Sequence, residues 1–412
     1  MKHDLDALME RRGLDAFIVT GGEEYNVIRD YMTNGADVHG GYILQKRGEA
    51  PLLVVNPMEI EEGKKSGLNT ITSNDFNYME MLSEAGGDSD KAAVIMWGRM
   101  LTKVGVTSGR VGIYGVGAIH VYINLIGQLR AAYPQYEFVG ETGLTLFDEA
   151  MQTKDSDELT RMQRVANGTN EVVEATWNYI AGHALAEDET VVKADGVPLT
   201  IGDVRAFFMR ELASRGLEDT GTIFAQGRDG GFPHSRGENT QALKAGQAIV
   251  FDIFPREMGG GYHHDMTRTW SIGYASPEVQ KAYDEVMESF DVAVETFRSG
   301  DKASNLQFAV LDYLESKGHK TQRSHPGTMD GYVHSLGHGL GLQIHERPSL
   351  SHMRVEDILQ AGNFITIEPG VYYPDAGYGV RVEDTFYITQ QGELISLTPF
   401  KKDLVIPMEK KA

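Results

Sequence analysis

Apolar positions recur at helical spacing in several long stretches of the chain and cluster in β-rich runs between them. Leu159, Met162, Val165, Ala166, Val172 and Val173 give one buried stripe, and Asp155 with Glu158 three residues on is a capping-box start for it. A second helix is predicted from about Asp203 to Arg215, with Thr200 as cap and Gly216 as stop. Ser276-Pro277 begins a third, lined by Val279, Ala282, Tyr283, Val286, Phe290, Ala293 and Phe297 and ended by Gly300. Ser304 to Lys317 reads as a fourth, stopped by Gly318. Between the second and third, two β-rich arms in Val250–Ile272 flank Gly259-Gly260-Gly261 and predict a hairpin. Few parallel crossovers are implied. The pattern therefore predicts an α+β domain, a curved antiparallel sheet with helices on its outer side.

The N-terminal third has a different rhythm. A short helix, Leu5 to Arg12, feeds a strand at Ala16 to Thr20. Tyr42 to Gln45, Leu52 to Asn56, Arg110 to Tyr114 and Tyr136 to Val139 are strand-like, and Lys91 to Val104 and His120 to Ala132 are helical. This is an α/β domain. Gly115 and Gly117 begin a GxGxxG-like turn, but His120 takes the third glycine's place, so the dinucleotide fingerprint is incomplete. His39 and His120 stand alone and read as structural or surface residues. The domains are expected at residues 1–148 and 149–412.

Polar residues that break the apolar runs carry the candidate chemistry. Asp252 and Asp265 sit on the two arms of the hairpin, and a turn centred near Met258 and Gly259 puts them roughly opposite each other. Like charges so placed are destabilising, and a cation between them removes the conflict. Alternatively, one is a turn or edge residue and the other pairs with Arg268; the hairpin alone leaves these readings balanced. Gly331–Pro348 then carries His334, His338 and His345 among glycines. Glu368 ends the apolar run NFITIEPGVYY, and Glu383 lies inside GVRVEDTFYI. A carboxylate in a β-branched run is unfavourable unless paired or ligated. Together these residues favour a metal site of hard oxygens and one imidazole, suited to Mn, Fe, Co or Zn.

At these positions the chain resembles the pita-bread metallopeptidases, the family of aminopeptidase P, prolidase, methionine aminopeptidase and the metal-free creatinase. The order Asp252, Asp265 in DMTRT, His338 in HSLGHGLGLQIHERP, Glu368 in TIEPGVY and Glu383 in GVRVEDT matches the family's ligands over roughly residues 150–400. The resemblance implies two divalent ions, manganese foremost, bridged by Asp265 and Glu383, with Asp252 completing one site and His338 with Glu368 the other. It implies amide hydrolysis by a hydroxide bridging the ions. Glu368 would move a proton, His345 would hydrogen-bond the peptide or the tetrahedral intermediate, and His234 in FAQGRDGGFPHSRG would line the substrate pocket. His334 would touch substrate or orient a ligand. Arg381, on the strand face of Glu383, reads first as a salt-bridge partner. The two-domain layout resembles the branch that cleaves before proline, a Xaa-Pro aminopeptidase or dipeptidase. The alternatives are another amide hydrolase or a dimethylsulfoniopropionate lyase on the same fold, metal-free catalysis, and a binding protein built on an inactive peptidase. The intact ligand set speaks against the last two.

Composition narrows the partners. A net charge of −21 argues against nucleic acid and anionic membrane surfaces, which need a basic face. The absence of cysteine excludes disulfides, thiolate zinc sites and a cysteine nucleophile, and fits a cytoplasmic protein. No apolar run is long enough to span a bilayer, and the charged start MKHDLDALMERRG lacks a signal-peptide core. A peptide or small-molecule substrate is expected, and the resemblance implies a homodimer.

Overall fold

The computed structural model describes residues 2–408 and divides into two units, Met1–Met151 and Gln152–Ala412. The first unit is built on a six-stranded mixed sheet in the order Asn69–Thr72, Leu52–Val55, Tyr42–Lys46, Ala16–Thr20, Gly109–Gly115, Tyr136–Val139. Ile18, Leu44, Val54 and Val111 pack against Trp97, Met100 and Leu101 of the helix Ser89–Lys103. The short helices Val27–Thr33, Ile60–Lys65 and Tyr78–Glu84 were not legible, because about two turns show too few apolar positions for a period. In the helix Ile119–Ala132 only Leu129 is buried, and Ile119, Val121 and Ile123 are exposed at 76%, 52% and 69%.

Among the described residues, the second unit is built on two larger sheets with a pair of helices behind each, beside three two-stranded sheets. The first has the order Ile223–Gln226, Ala248–Ile253, Met266–Ile272, Val405–Ile406, antiparallel except for its last pair. The second has the order Glu346–Leu350, Gly337–Gly339, Phe364–Ile367, Asp384–Ile388, Leu394–Ser396. Helices Ser156–Ala181 and Ile201–Ser214 cover the first sheet: Val165, Trp177 and Phe208 share a core with Ile249, Phe251 and Trp270. Pro277–Thr296 and Ser304–Ser316 cover the second, where Val286, Phe290 and Leu314 meet Ile365, Ile367 and Phe386. The predicted capping box of Asp155 with Glu158 forms, and Thr200 caps its helix in a second one with Asp203.

Alternation along a strand then sets which residues face away from the helices. Ile249, Phe251 and Ile253 go to the helical core, so Asp252 faces the other way. Met266, Trp270 and Ile272 do the same on the neighbouring strand, leaving Thr267 and Thr269 on the side of Asp252. A lone antiparallel bridge, Thr267 to Glu383, ties the two sheets together on that side. Among the described residues no helix is long and apolar enough to cross a membrane.

Candidate metal centre

The hairpin register corrects one expectation. Asp252 pairs with Thr267 and Ile253 with Met266, and a bridge joins Arg256 to His263. The turn is thus centred on Gly259 and Gly260, and Asp265 falls opposite Phe254 rather than Asp252. The two aspartates are diagonal neighbours on one face, a spacing of roughly 7–8 Å between backbones. The tip is fixed by a second pairing, Arg256–Glu257 with Leu217–Glu218, which a reading of the hairpin alone does not contain.

Glu368 and Glu383 are delivered by strand ends, and His338 from within the short strand Gly337–Gly339. Glu368 directly follows Phe364–Ile367, and its N–H donates to the Leu336 carbonyl at 2.8 Å. Gly337 lets the strand of His338 lie close: a Cβ there would stand 2.1 Å from the Thr366 carbonyl oxygen. Glu383 sits between Tyr378–Arg381 and Asp384–Ile388, and its N–H donates to the Thr267 carbonyl at 3.0 Å.

These placements bring the side chains together. Ligand atoms of Asp265, His338 and Glu383 all lie within 4.8 Å of one another. His338 Nε2 is 3.6 Å from Asp265 Oδ2 and 3.5 Å from Glu368 Oε1. Its Nδ1 lies 3.0 Å from the Gly339 carbonyl, so Nδ1 carries the proton and Nε2 presents a lone pair to the carboxylates. Arg381 Nη2 donates to Asp252 Oδ2 at 2.6 Å, and Thr267 Oγ1 donates to Glu383 Oε2 at 2.8 Å. The opposite oxygens, Asp252 Oδ1 and Glu383 Oε1, and also Asp265 Oδ1, are buried without any hydrogen-bond partner.

The electrostatics express the same crowding. Burial, then Glu383, Asp252 and Glu368, push the Asp265 carboxyl well above the usual carboxylate range. Burial and Glu383 do the same to Glu368. Burial and Asp252 push Glu383 up to about 8. Burial holds His338 down to about 3, so its imidazole is neutral at physiological pH. Three partnerless carboxylate oxygens beside a neutral imidazole fit divalent cations, which reverse the penalty on the charged carboxylates.

A sequence profile described as metallopeptidase family M24 matches residues 160–390, more than half of the chain. The chain belongs to metallopeptidase family M24. Among similar proteins, the putative dipeptidase YkvY of Bacillus subtilis is 33% identical over 206 residues, 50% of this chain and 53% of that protein. A Xaa-Pro dipeptidase of Pyrococcus furiosus is 36% identical over 174 residues, 42% and 45% of the two chains. The chain thus spans about half the length of the curated relatives it matches. The prolidase from Pyrococcus horikoshii OT3 superposes with a TM-score of 0.72 at 23% identity, covering 98% of this chain and 99% of that one. The Xaa-Pro dipeptidase from Bacillus anthracis gives 0.75 at 21% identity, covering 98% of each chain. At these identities the superpositions show a shared fold.

Around the M24 cluster the other residues named from sequence take distinct places. His345 is exposed, with its ring edge-on to His338 at 4.4 Å between centroids. His234 is also exposed, within electrostatic reach of both His345 and His334. His334 is committed on both nitrogens: Nδ1 donates to the Ser335 carbonyl at 2.7 Å, and Nε2 accepts from Tyr372 Oη at 2.9 Å. Arg381 donates to Tyr372 Oη at 2.6 Å and to Thr267 Oγ1 at 3.2 Å as well as to Asp252, the salt bridge expected of it. Arg268 pairs with Asp384, not with a member of the cluster. Three residues escaped the sequence reading. His263 is buried against the Gly341 carbonyl, and His264 is buried near Thr398. Their signal was a tandem pair directly before Asp265. Tyr372 was also missed, because a tyrosine in an apolar run reads as core.

Proposed function

We propose that this chain hydrolyses the peptide bond preceding proline, as a Xaa-Pro aminopeptidase or dipeptidase, with two divalent cations held by Asp252, Asp265, His338, Glu368 and Glu383. The single observation that carries the reading is the convergence of buried carboxylate oxygens that no protein donor satisfies. Such a cation pair, when bound, supplies a water that is nucleophilic at neutral pH and polarises the peptide carbonyl. The oxygen-rich set with one imidazole favours manganese, with iron, cobalt and zinc as substitutes.

The chain's own residues do the rest. Arg381 holds one oxygen of Asp252 and Thr267 one oxygen of Glu383, so the other oxygen of each, which has no hydrogen-bond partner, would hold the cations. Glu368, partly buried and flanked by His338, receives the proton of the attacking water and returns it to the leaving nitrogen. His345 and His234, both exposed, hold the peptide carbonyl at the rim. His334 supports Tyr372 and through it Arg381.

A bond to proline lacks an N–H on its leaving nitrogen and carries a rigid ring, so it requires a dedicated pocket. The names of the P. furiosus relative and of the B. anthracis neighbour support that substrate class. The exposed apolar residues Ile119, Val121 and Ile123 support a homodimer.

The test is turnover of Gly-Pro and of a longer Xaa-Pro peptide by manganese-loaded protein, beside Asp265→Ala. Metal-dependent release of the residue before proline, lost in the variant, is expected. Full metal loading without hydrolysis of any Xaa-Pro substrate would move the site to a different reaction.

A further inference from the structure

Away from the ligands, Lys154 and Glu346 form an ion pair at 2.5 Å between side chains that are only 1% and 4% exposed. Burying two charges costs several kcal/mol per ion, and a well-packed apolar pair is commonly as stable. Stability is therefore a weak account of this pair, and its connections suggest another.

Glu346 is the hub of the turn that carries His345. Its Oε1 accepts from the Gln343 N–H at 3.1 Å. Both carboxylate oxygens lie so close over Gly341 that a Cβ there would stand 2.5 Å from each. The Gly341 carbonyl in turn accepts from the His263 N–H at 2.8 Å, two residues before Asp265. Gly339 and Glu346 pair across a register shift, so the strand ladder alone leaves the intervening loop loosely specified.

Lys154 is anchored elsewhere. Its N–H donates to the Gly362 carbonyl at 2.9 Å, and Asn363 Nδ2 donates to the Gln152 carbonyl at 3.0 Å. Gly362 and Asn363 lead directly into Phe364–Ile367, the strand that Glu368 directly follows. The backbone of Lys154 is thus fastened to the Glu368 strand, and its ammonium to the His345 turn.

We infer that the Lys154–Glu346 pair is a positioning device that holds the His345 imidazole in register with His338 and Glu368. The inference rests on the peptidase reading for its kinetic consequence and on geometry alone for its structural one. Displacing a substrate-holding group by about 1 Å costs up to roughly a hundredfold in rate.

The experiment uses the full chain, metal-loaded, with Lys154→Met and Glu346→Gln made separately. Glu346→Gln keeps the shape and the bond to Gln343, and serves if Lys154→Met does not fold. Metal content and circular dichroism are expected to match wild type, while kcat on a Xaa-Pro substrate falls at least about tenfold with little change in KM. On a His345→Ala background the same substitutions are expected to cost less than about twofold more, because their target is gone. An equal loss on both backgrounds would overturn the inference.

A second readout is independent of turnover. In zinc-loaded protein with labelled histidine, the ring signals of His345, assigned from His345→Ala, are expected to shift or broaden in both variants while those of His234 stay in place. Unchanged His345 signals in folded, metal-loaded variants would overturn the positioning role. Shifted signals in a protein with no Xaa-Pro turnover would uphold it and reject the peptidase reading.

Discussion

Arg381 and Asp252 form a buried ion pair, Nη2 to Oδ2 at 2.6 Å, while Asp252 Oδ1 is left without a partner. The arginine neutralises and orients one oxygen and leaves the other unsatisfied, which on the proposed reading is where a cation would bind. Burial lowers the affinity of the guanidinium for its proton, but Tyr372, Asp252 and Glu368 more than offset this, so it stays charged.

Arg381→Leu removes a positive side chain bonded to a carboxylate of the cluster. Leaving a buried charge unpaired costs on the order of 3–5 kcal/mol. The loss is expected in the metal-free protein at pH 8 and is expected to be smaller once manganese is bound, because the cations take over the neutralisation. Thermal melts with and without metal check this. An equal loss in both states would show that Arg381 acts only by packing.

The pH dependence has a definite sign. Asp265, Glu368 and Glu383 have folded-state pKa values raised above their ordinary ones, with Glu383 at about 8. Their stabilising contribution is present at low pH and is lost as pH rises through the folded values. His334 and His338 are lowered to about 3 from an ordinary 6.5, so their contribution is already complete above 6.5. Metal-free protein is therefore expected to lose thermal stability between pH 6.5 and about 8, and metal-loaded protein to lose much less. A rise in metal-free stability over that interval would contradict the crowding.

Asp265→Asn separates function from folding. It removes one like charge from the cluster, so the metal-free variant is expected to melt higher than wild type at pH 8. Its Xaa-Pro hydrolysis is expected to fall by at least about a hundredfold. A lower melting temperature would mean that Asp265 serves the fold.

The long elements were legible because they state their own limits. Asp155 with Glu158, Thr200 as a cap, and Ser276 ahead of Pro277 each mark a helix start found in the structure. Asp155→Ala, which breaks the first of these, is expected to cost about 1 kcal/mol, or roughly 2–4 °C, in a melt. Four of the five candidate ligands stood out for a related reason, since Asp252, Asp265, Glu368 and Glu383 are carboxylates in apolar runs, whereas His338 stands among glycines. What stayed hidden depends on contacts distant in sequence. The hairpin register is set with help from Leu217–Glu218, the Arg381–Tyr372–His334 chain crosses three segments, and Lys154 meets Glu346 across most of the second unit.

The most direct measurement is anomalous diffraction at the manganese edge from crystals of the metal-loaded protein. Two neighbouring peaks are expected among Asp252, Asp265, His338, Glu368 and Glu383, with Asp265 and Glu383 touching both. Fully loaded crystals with no peak there, or with manganese bound only at surface carboxylates, would contradict the account.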